Sequence, residues 1–258
     1  MEVLSALNTF DPISLNEMDE VKLQNRVDTK YVFSRFLLAG VLHDLMPYYR
    51  VLEIDNHRLN HYHSVYYDTD DLLFFRKHLN GKMNRYKVRM RKYLDSGLCY
   101  LEIKFKNNKR RTIKSRKKKP DLEQMLSEQS LQYVEKKSDV CAEGLRPSLW
   151  NSFSRITLVH KEKKERLTID LDLRYGKDEE EKEVKELVIA ELKQEKFSVL
   201  SDFVRVMKKY HIRPMRISKY CLGIALLYQH VKNNRFKPRM LHILKVTHGN
   251  AFRYPLAG

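Results

Sequence analysis

Strict alternation of polar and apolar residues marks several segments of this chain as β-strands. In the segment NRYKVRMRKY, residues 84 to 93, cationic and apolar side chains alternate. Successive side chains of a strand point to opposite faces of the sheet, and neighbours on one face lie roughly 7 Å apart. The pattern therefore predicts one core face and one face with a row of four cations, which are Arg85, Lys87, Arg89 and Arg91.

The same alternation recurs in NRVDTKYVF near the start of the chain, and in CYLEIKFKN and RRTIKSRKK after the first segment. The turn sequences DSG and NNK separate the last three strands and predict an antiparallel meander. The polar faces of the three added strands carry Arg26, Asp28 and Lys30, then Glu102, Lys104 and Lys106, then Thr112, Lys114 and Arg116.

A second group of strands follows after an interruption of helical and loop composition at residues 120 to 150. SFSRITLVHKEKKERLTIDLDLRYG predicts a hairpin with its turn at KEKK, and LVIAELKQ predicts a final strand. The acidic run KDEEEKEVKE between them is typical of a solvated loop. The predicted polar faces of the returning and final strands carry Arg166, Thr168, Asp170 and Asp172, and Glu191 and Lys193.

Helical periodicity in SRFLLAGVLHDLM, LSDFVRVMKKYHI and SKYCLGIALLYQHV supplies the covering elements. We expect a single domain over residues 1–258, with a core from about 10 to 230 and no assignment for the tail 231–258. An ordinary sandwich turns a mixed polar face to water, whereas the polar faces here are rich in Arg and Lys. We therefore predict an α+β fold, in which a closed antiparallel β-barrel of about eight strands turns its charged faces inward and is covered by helices.

The charge of the chain indicates a polyanionic partner. The 258 residues carry a formal net charge of +17, and residues 76 to 119 alone hold 18 Lys and Arg against two acidic residues, Asp95 and Glu102. A tunnel lined by many cations requires a multiply charged anion to compensate them. No Gly-rich phosphate loop is present, so side chains would bind the phosphates, with Arg as a bidentate donor and Lys as a point charge.

Carboxylates on the same polar faces indicate a divalent cation. We expect Glu102, Asp170, Asp172 and Glu191 to lie beside the basic residues and to offer hard oxygen ligands, which suit Mn²⁺ or Mg²⁺ that bridges phosphate oxygens. The ligand is then a linear triphosphate or polyphosphate with its metal.

The lengths of the apolar runs and the spacing of the cysteines indicate the cellular compartment and the kind of contact with a membrane. No run of 18 or more apolar residues appears, and three distant cysteines without CxxC spacing favour a reducing cytoplasm. We expect a cytoplasmic protein without a transmembrane segment that meets a membrane only through another protein. The sequence leaves the oligomeric state open.

Eight short motifs in order resemble one known family. NRVDTKY, YYDT, VRMR, LEIKFK, IKSR, RLTIDLDL, IAELK and ISKYCLGI resemble the VTC domain, the polyphosphate polymerase domain of the vacuolar transporter chaperone complex and its stand-alone bacterial relatives. That family belongs to the triphosphate tunnel metalloenzymes. The resemblance spans about residues 10 to 230, and the ExExK signature of the CYTH branch is absent near the N-terminus.

The resemblance implies a role for individual residues. Phosphate contacts are implied for Lys30, Arg89, Arg91, Lys104, Arg155 and Arg166, a metal contact for Glu191, and contact with the far part of the chain for Lys219. Lys114 matches a further tunnel lysine. The strand pattern adds Lys87, Arg116 and Lys193 as phosphate ligands, and Glu102 and Asp170 as metal ligands.

The resemblance implies an ATP-dependent polyphosphate polymerase, a phosphotransferase that moves the γ-phosphoryl group of ATP onto a growing polyphosphate chain. A terminal phosphate oxygen is already ionised at neutral pH, so no general base is needed. Three alternatives stay open: a triphosphatase of the same fold, a non-catalytic polyphosphate-binding module, and a nucleic-acid-binding protein. The last is disfavoured because aromatic platforms and a groove-sized helix are missing, so we expect no specific nucleic-acid partner.

Overall fold

A computed structural model describes residues 3–20, 26–109, 111–232 and 234–247. Within these ranges one sheet of eleven strands is surrounded by helices. The strands are β1 (Pro12–Ile13), β2 (Val27–Ser34), β3 (Tyr49–Leu52), β4 (Asn60–Asp68), β5 (Arg85–Tyr93), β6 (Cys99–Lys106), β7 (Thr112–Lys119), β8 (Arg146–His160), β9 (Glu165–Lys177), β10 (Glu180–Val184) and β11 (Leu187–Gln194). The helices are α1 (Val3–Asn8), α2 (Leu15–Glu20), α3 (Leu38–Leu45), α4 (Leu73–Leu79), α5 (Glu128–Lys137), α6 (Asp202–Lys209), α7 (Lys219–Leu227) and α8 (Lys237–Val246).

Eight strands form the main path of the sheet in the order β2-β11-β9-β8-β4-β5-β6-β7. Every neighbouring pair on this path is antiparallel, and the short β1 pairs with β3 in parallel. The predicted meander is confirmed as β5-β6-β7, and the predicted KEKK hairpin joins β8 to β9. The α+β class and the number of strands on the main path agree with the sequence prediction.

The sheet curls so strongly that distant strands reach adjacent residues. Lys30 on β2 donates to the carbonyl oxygen of Ile217 at 3.1 Å, and Lys87 on β5 donates to the Ser218 hydroxyl at 2.9 Å. In the part of the chain that is described, β2 and β7 remain edge strands that do not pair with each other. The predicted closure of the barrel is therefore wrong, because alternation decides which face a side chain takes, whereas strand twist and stagger decide whether two edges meet.

The outer face of the sheet forms two apolar cores. One core packs α1, α3 and α6 against β2, β8, β9 and β11, and its fully buried residues include Leu42, Leu158 and Phe203. The other packs α5 against β5 and β6 through Val134 and Leu101. Burial of these faces leaves the alternate, charged side chains on the inner face of the curl, which we call the charged face.

Helices α7 and α8 lie on the inner side, at one end of the charged face. Residues Val32 and Ile189 share the inner face with Lys30 and Glu191, and they belong to the same apolar cluster as α7. Phe236, Met240 and Ile243 of the tail join that cluster and are buried. The tail therefore contributes to the core at this end of the sheet.

Two local predictions, one within β9 and one for the acidic run that follows it, are wrong. The acidic run is not a loop throughout, because Glu180–Val184 forms β10 and pairs with β9. The register of β8 and β9 shifts between Ser152 and Ser154, and Asp172 adopts a left-handed φ of 54°. This bulge turns Asp172 off the charged face to pair with Arg35, and it moves Leu173 to the inner cluster.

Among the described residues, the helices are too short or too polar to traverse a lipid bilayer.

Candidate functional site

The charged face collects the candidate residues from seven strands of the sheet and from the start of α7. Three carboxylates divide most of the cations into separate ion-pair groups. The positions are Lys30 on β2, Lys87, Arg89 and Arg91 on β5, Glu102 and Lys104 on β6, Lys114 and Arg116 on β7, Arg155 on β8, Arg166 and Asp170 on β9, Glu191 and Lys193 on β11, and Lys219 on α7.

The first group surrounds Glu102, which is 1% exposed. The Nε and Nη2 atoms of Arg89 donate to Glu102 Oε2 at 2.8 and 2.6 Å, and Lys114 forms an ion pair with the other oxygen. Burial raises the pKa of Glu102, but the charges of Arg89 and Arg91 outweigh it and hold this pKa well below its usual range. Glu102 is therefore an anchor for cations and is ionised whenever the protein is folded at neutral pH.

The second group surrounds Asp170, which is equally buried. Arg155 donates to both of its oxygens in a bidentate pair, at 2.6 and 2.8 Å, and Lys219 donates to Oδ2. Burial opposes ionisation of this carboxyl, yet the charges of Arg155 and Lys219 hold the pKa of Asp170 well below its usual range. The bidentate pair fixes the guanidinium plane of Arg155, and the hydrogen bond from Lys219 links α7 to β9.

The third group surrounds Glu191 and is looser. Lys193 Nζ lies 3.3 Å and Lys30 Nζ 3.9 Å from the oxygens of Glu191, and Lys193 also donates to the Thr168 hydroxyl at 2.9 Å. Both ion-pair distances exceed those in the other two groups. Burial raises the pKa of Glu191, but Lys193, Lys30 and Lys104 together hold it well below its usual range.

Lys87, Arg91 and Lys104 of the charged face form no ion pair within the described residues. Arg91 is 6% exposed and donates from Nε to the Ser64 hydroxyl at 3.1 Å. Burial lowers the pKa of Lys87 to about 7 and that of Lys104 to about 7. Burial likewise lowers the pKa of Lys219 to about 7 and that of Lys193 to about 8, against the pull of their carboxylates. The face is thus short of negative charge.

Two predicted phosphate ligands lie nearer the ends of the face. Arg116 is exposed on β7, with its guanidinium 5.0 Å from the centroid of the Tyr100 ring. Arg166 is half-buried on β9 and stands directly across from Lys193 in the register with β11. Both lie on strands that contribute to the charged face.

Sequence reasoning missed the neutral residues of the site, which are Tyr62, Ser64, Phe153 and Ser218. Ser64 and Ser218 accept hydrogen bonds from Arg91 and Lys87, and Ser218 also caps the N-terminus of α7. Alternation alone would have placed Ser64 on the charged face, because it stands across from Arg91. No other feature of the sequence distinguishes Phe153 or Ser218 from the many other Phe and Ser residues of the chain.

The three predicted metal ligands do not converge. Among the described residues no group of three or more His, Cys, Asp or Glu side chains is placed to hold a metal ion. Cations contact both oxygens of Glu102 and of Asp170, whereas the longer contacts of Glu191 leave it open to a further ligand. A single carboxylate fits a Mg²⁺ or Mn²⁺ ion whose other ligands are phosphate oxygens and water.

An antiparallel sheet curled around a buried cationic face defines the triphosphate tunnel fold. A sequence model of the VTC domain matches residues 25–228. The chain belongs to the VTC domain family, as its motifs predicted.

Solved structures with this fold are distant in sequence. A Hippeastrum protein, described as a candidate adenylyl cyclase with a dominant triphosphatase activity, superposes with a TM-score of 0.50 at 13% identity, over 80% of this chain and 99% of that one. Candidate adenylate cyclases from Vibrio parahaemolyticus and Bacillus halodurans reach 0.48 at 13% and 12% identity. They cover 77% and 75% of this chain, and 99% and 94% of their own. No curated protein matches the chain significantly in sequence.

Proposed function

We propose that this protein is an ATP-dependent polyphosphate polymerase, which transfers the γ-phosphoryl group of ATP to the end of a polyphosphate chain held on the charged face. Membership of the VTC domain family supports this reaction over others on the same fold. ATP and inorganic polyphosphate are then its ligands.

The observation that carries the proposal is the excess of positive charge on the inner face of the sheet, where Arg91 is buried and Lys87 and Lys104 are half-buried. Lys87, Arg91 and Lys104 lie on the inner face of the sheet without an ion-pair partner in the described ranges. Buried cations without compensation are costly, and a multiply charged anion that threads along the face would supply the missing charge. A linear phosphate chain matches a row of cations that repeats along several neighbouring strands.

Fixed cations on this face can stabilise phosphoryl transfer by electrostatics alone. Arg89 is held by two hydrogen bonds to one oxygen of Glu102, and Arg155 by a bidentate pair with Asp170, so both would meet the developing charge without reorganising. Arg91 and Arg166 extend the row on either side. The attacking phosphate oxygen carries its own negative charge, which agrees with the lack of a paired His and Ser on the described part of this face.

Glu191 is the residue that we assign to the divalent cation. A bound Mg²⁺ or Mn²⁺ would neutralise phosphate charge and hold the phosphates in line. Glu191 would hold the ion at the β11 side of the face, and Lys193 and Lys30 would bind the phosphates beside it. Lys114, Lys219 and Arg116 would contact phosphates farther along the chain.

A cytoplasmic setting fits the cysteines, since Cys99, Cys141 and Cys221 are all free. ATP would be at hand there. We propose that any contact with a membrane is made through another protein.

The test incubates the purified full chain with ATP and Mn²⁺ or Mg²⁺, with and without a short polyphosphate primer. Products are resolved by gel, and released phosphate is measured in parallel. We expect long chains only with the metal, and a loss on the order of 10²- to 10³-fold in rate for Lys104→Ala and for Glu191→Gln. Lys136→Ala removes an exposed lysine on α5, far from the charged face, and serves as the matched control.

The other outcomes identify the alternatives. Free phosphate without chains would contradict a polymerase and indicate a triphosphatase. Tight tripolyphosphate binding without turnover would leave a binding module. Equal activity in Lys104→Ala and Lys136→Ala would remove the charged face from the reaction.

A further inference from the structure

Two aromatic rings stack on each other in the middle of the charged face. Tyr62 on β4 and Phe153 on β8 are cross-strand neighbours, with ring centroids 5.1 Å apart and planes 2° from parallel. Both side chains are buried. Both rings belong to the apolar cluster that contains α7, and the stack lies where this cluster meets the cations of the charged face.

Three cations from three different elements converge on this stack. The guanidinium of Arg155 lies 5.1 Å from the centroid of Tyr62 and 5.2 Å from that of Phe153. Arg91 lies 5.4 Å from each centroid, and Lys219 Nζ lies 4.3 Å from Phe153. All of these distances fall within the range in which the negative face of an aromatic ring attracts a cation.

The three cations repel each other and are unequally compensated. Arg155 and Lys219 share the carboxylate of Asp170, whereas Arg91 has only a hydroxyl, that of Ser64, as hydrogen-bond partner in the described residues. Burial lowers the pKa of Arg91, and the charges of Arg89 and Arg155 add to this effect, whereas the charge of Glu102 opposes it. No carboxylate lies within ion-pair distance of Arg91 in the described residues, so the two ring contacts supplement the Ser64 hydrogen bond in holding it beside two like charges.

We propose that the Tyr62–Phe153 stack is a positioning device, which holds Arg91, Arg155 and Lys219 around one point of the charged face while leaving their charge available to a phosphate. This inference rests on the proposed function and deepens it. Phe153 and Tyr62 are positioning residues, because they act on the phosphate only through the cations.

An aromatic ring suits this task better than a further acidic residue. A carboxylate beside Arg91 would fix its position, but it would also cancel the charge that an incoming phosphate should meet. A ring attracts the cation through its quadrupole and carries no net charge. The stack therefore separates the orientation of the cations from their neutralisation.

The test replaces Phe153 by 4-fluoro-, 3,5-difluoro- and 3,4,5-trifluorophenylalanine in the full chain. Fluorine withdraws electron density from the ring face and hardly changes the size of the ring, so packing is kept while the cation–ring attraction falls. Binding of sodium tripolyphosphate is measured by calorimetry at fixed ionic strength and pH. We expect the dissociation constant to rise stepwise with each fluorine, to about tenfold over the series.

The same series at Phe203 is the matched control. Phe203 is equally buried, but it lies in the outer core against Tyr31, and in the described part of the chain no cation lies over its ring. Fluorination there should leave the dissociation constant unchanged. Tyr62→Leu, which removes the other ring of the stack, should bind tripolyphosphate more weakly than the unmodified protein.

The outcomes separate the inference from the proposed function. If the unmodified protein binds tripolyphosphate and the dissociation constant stays the same along the Phe153 series, only the positioning role is overturned. A shift of equal size in the Phe203 series would also overturn it, because the effect would then be one of packing. Absence of tripolyphosphate binding by the unmodified protein would overturn both.

Discussion

At the scale of single residues, the carboxylates of the charged face fall into two kinds. Glu102 and Asp170 have cations at both oxygens, and removing such a buried partner leaves uncompensated charge. Glu191 has only longer contacts to Lys193 and Lys30. We therefore expect loss of the negative charge to affect different properties at the two positions: protein stability at Glu102 and metal binding at Glu191.

Glu191→Gln should raise the concentration of Mn²⁺ needed for half-maximal activity by about tenfold, because it removes the proposed protein ligand of the ion. Glu102→Gln should leave that concentration unchanged. It should instead lower the free energy of unfolding by about 3 kcal/mol, since Arg89 and Lys114 lose their shared partner. Metal titrations of activity and urea unfolding measure the two effects, and an equal metal shift in both variants would contradict the distinction.

At the scale of elements, α7 is the helix that joins the apolar cluster to the charged face. Its first residue, Lys219, forms an ion pair with Asp170, and its N-cap residue, Ser218, accepts a hydrogen bond from Lys87. A Cβ atom at Gly223 would lie 2.6 Å from the Tyr175 ring and 2.8 Å from Leu149. The glycine therefore permits the close approach of α7 to the sheet.

Gly223→Ala should destabilise the protein by about 1–3 kcal/mol through overpacking. Helix propensity alone would predict the opposite sign, because Ala is favoured over Gly inside a helix by about 1 kcal/mol. The displaced helix should also weaken tripolyphosphate binding through Lys219. Gly144→Ala is the control, since nothing lies within 4 Å of a Cβ atom there. Unfolding and binding titrations of both variants decide, and a Gly223→Ala variant as stable as Gly144→Ala would refute the packing argument.

The helices and strands also show how much of the structure the sequence alone predicts. Alternation correctly predicts the strands from β4 to β9, except for residues 146 to 150 of β8, for which the sequence predicts helix or loop. It also predicts the side of the sheet for Arg89, Lys104 and Asp170, because period two is a property of the single strand. It fails at Asp172, where one extra residue in β9 reverses the phase and no local signal marks the bulge. It also fails for the ion pairs, which depend on contacts between strands that only the curl of the sheet brings together.

At the scale of the whole molecule, the half-buried lysines of the charged face predict two opposite dependences on pH, one of stability and one of binding. Lys87, Lys104 and Lys219 have pKa values lowered to about 7, whereas an unfolded lysine titrates near 10.4. Between these values the unfolded chain binds more protons than the folded one. The free energy of unfolding of the ligand-free protein should therefore rise as pH increases from about 7 to about 10.

Affinity for tripolyphosphate should change in the opposite direction. The anion favours the charged form of the lysines, so binding takes up protons, and affinity should fall as pH rises through about 7 to 8. Calorimetry in buffers with different ionisation enthalpies counts the protons taken up. Lys104→Met should take up fewer protons than the unmodified protein. A proton uptake of zero near neutral pH would contradict neutral lysines in the ligand-free site.

The helix at one end of the charged face gives any bound polymer a direction. Val32 and Ile189, on the same face as Lys30 and Glu191, are covered by the cluster that contains α7. A chain that lengthens against such a barrier advances away from it by one phosphate spacing per transfer. Growth at the covered end and exit at the other would make synthesis an extrusion, in which the oldest phosphate emerges first and the length of the product depends on what receives it outside.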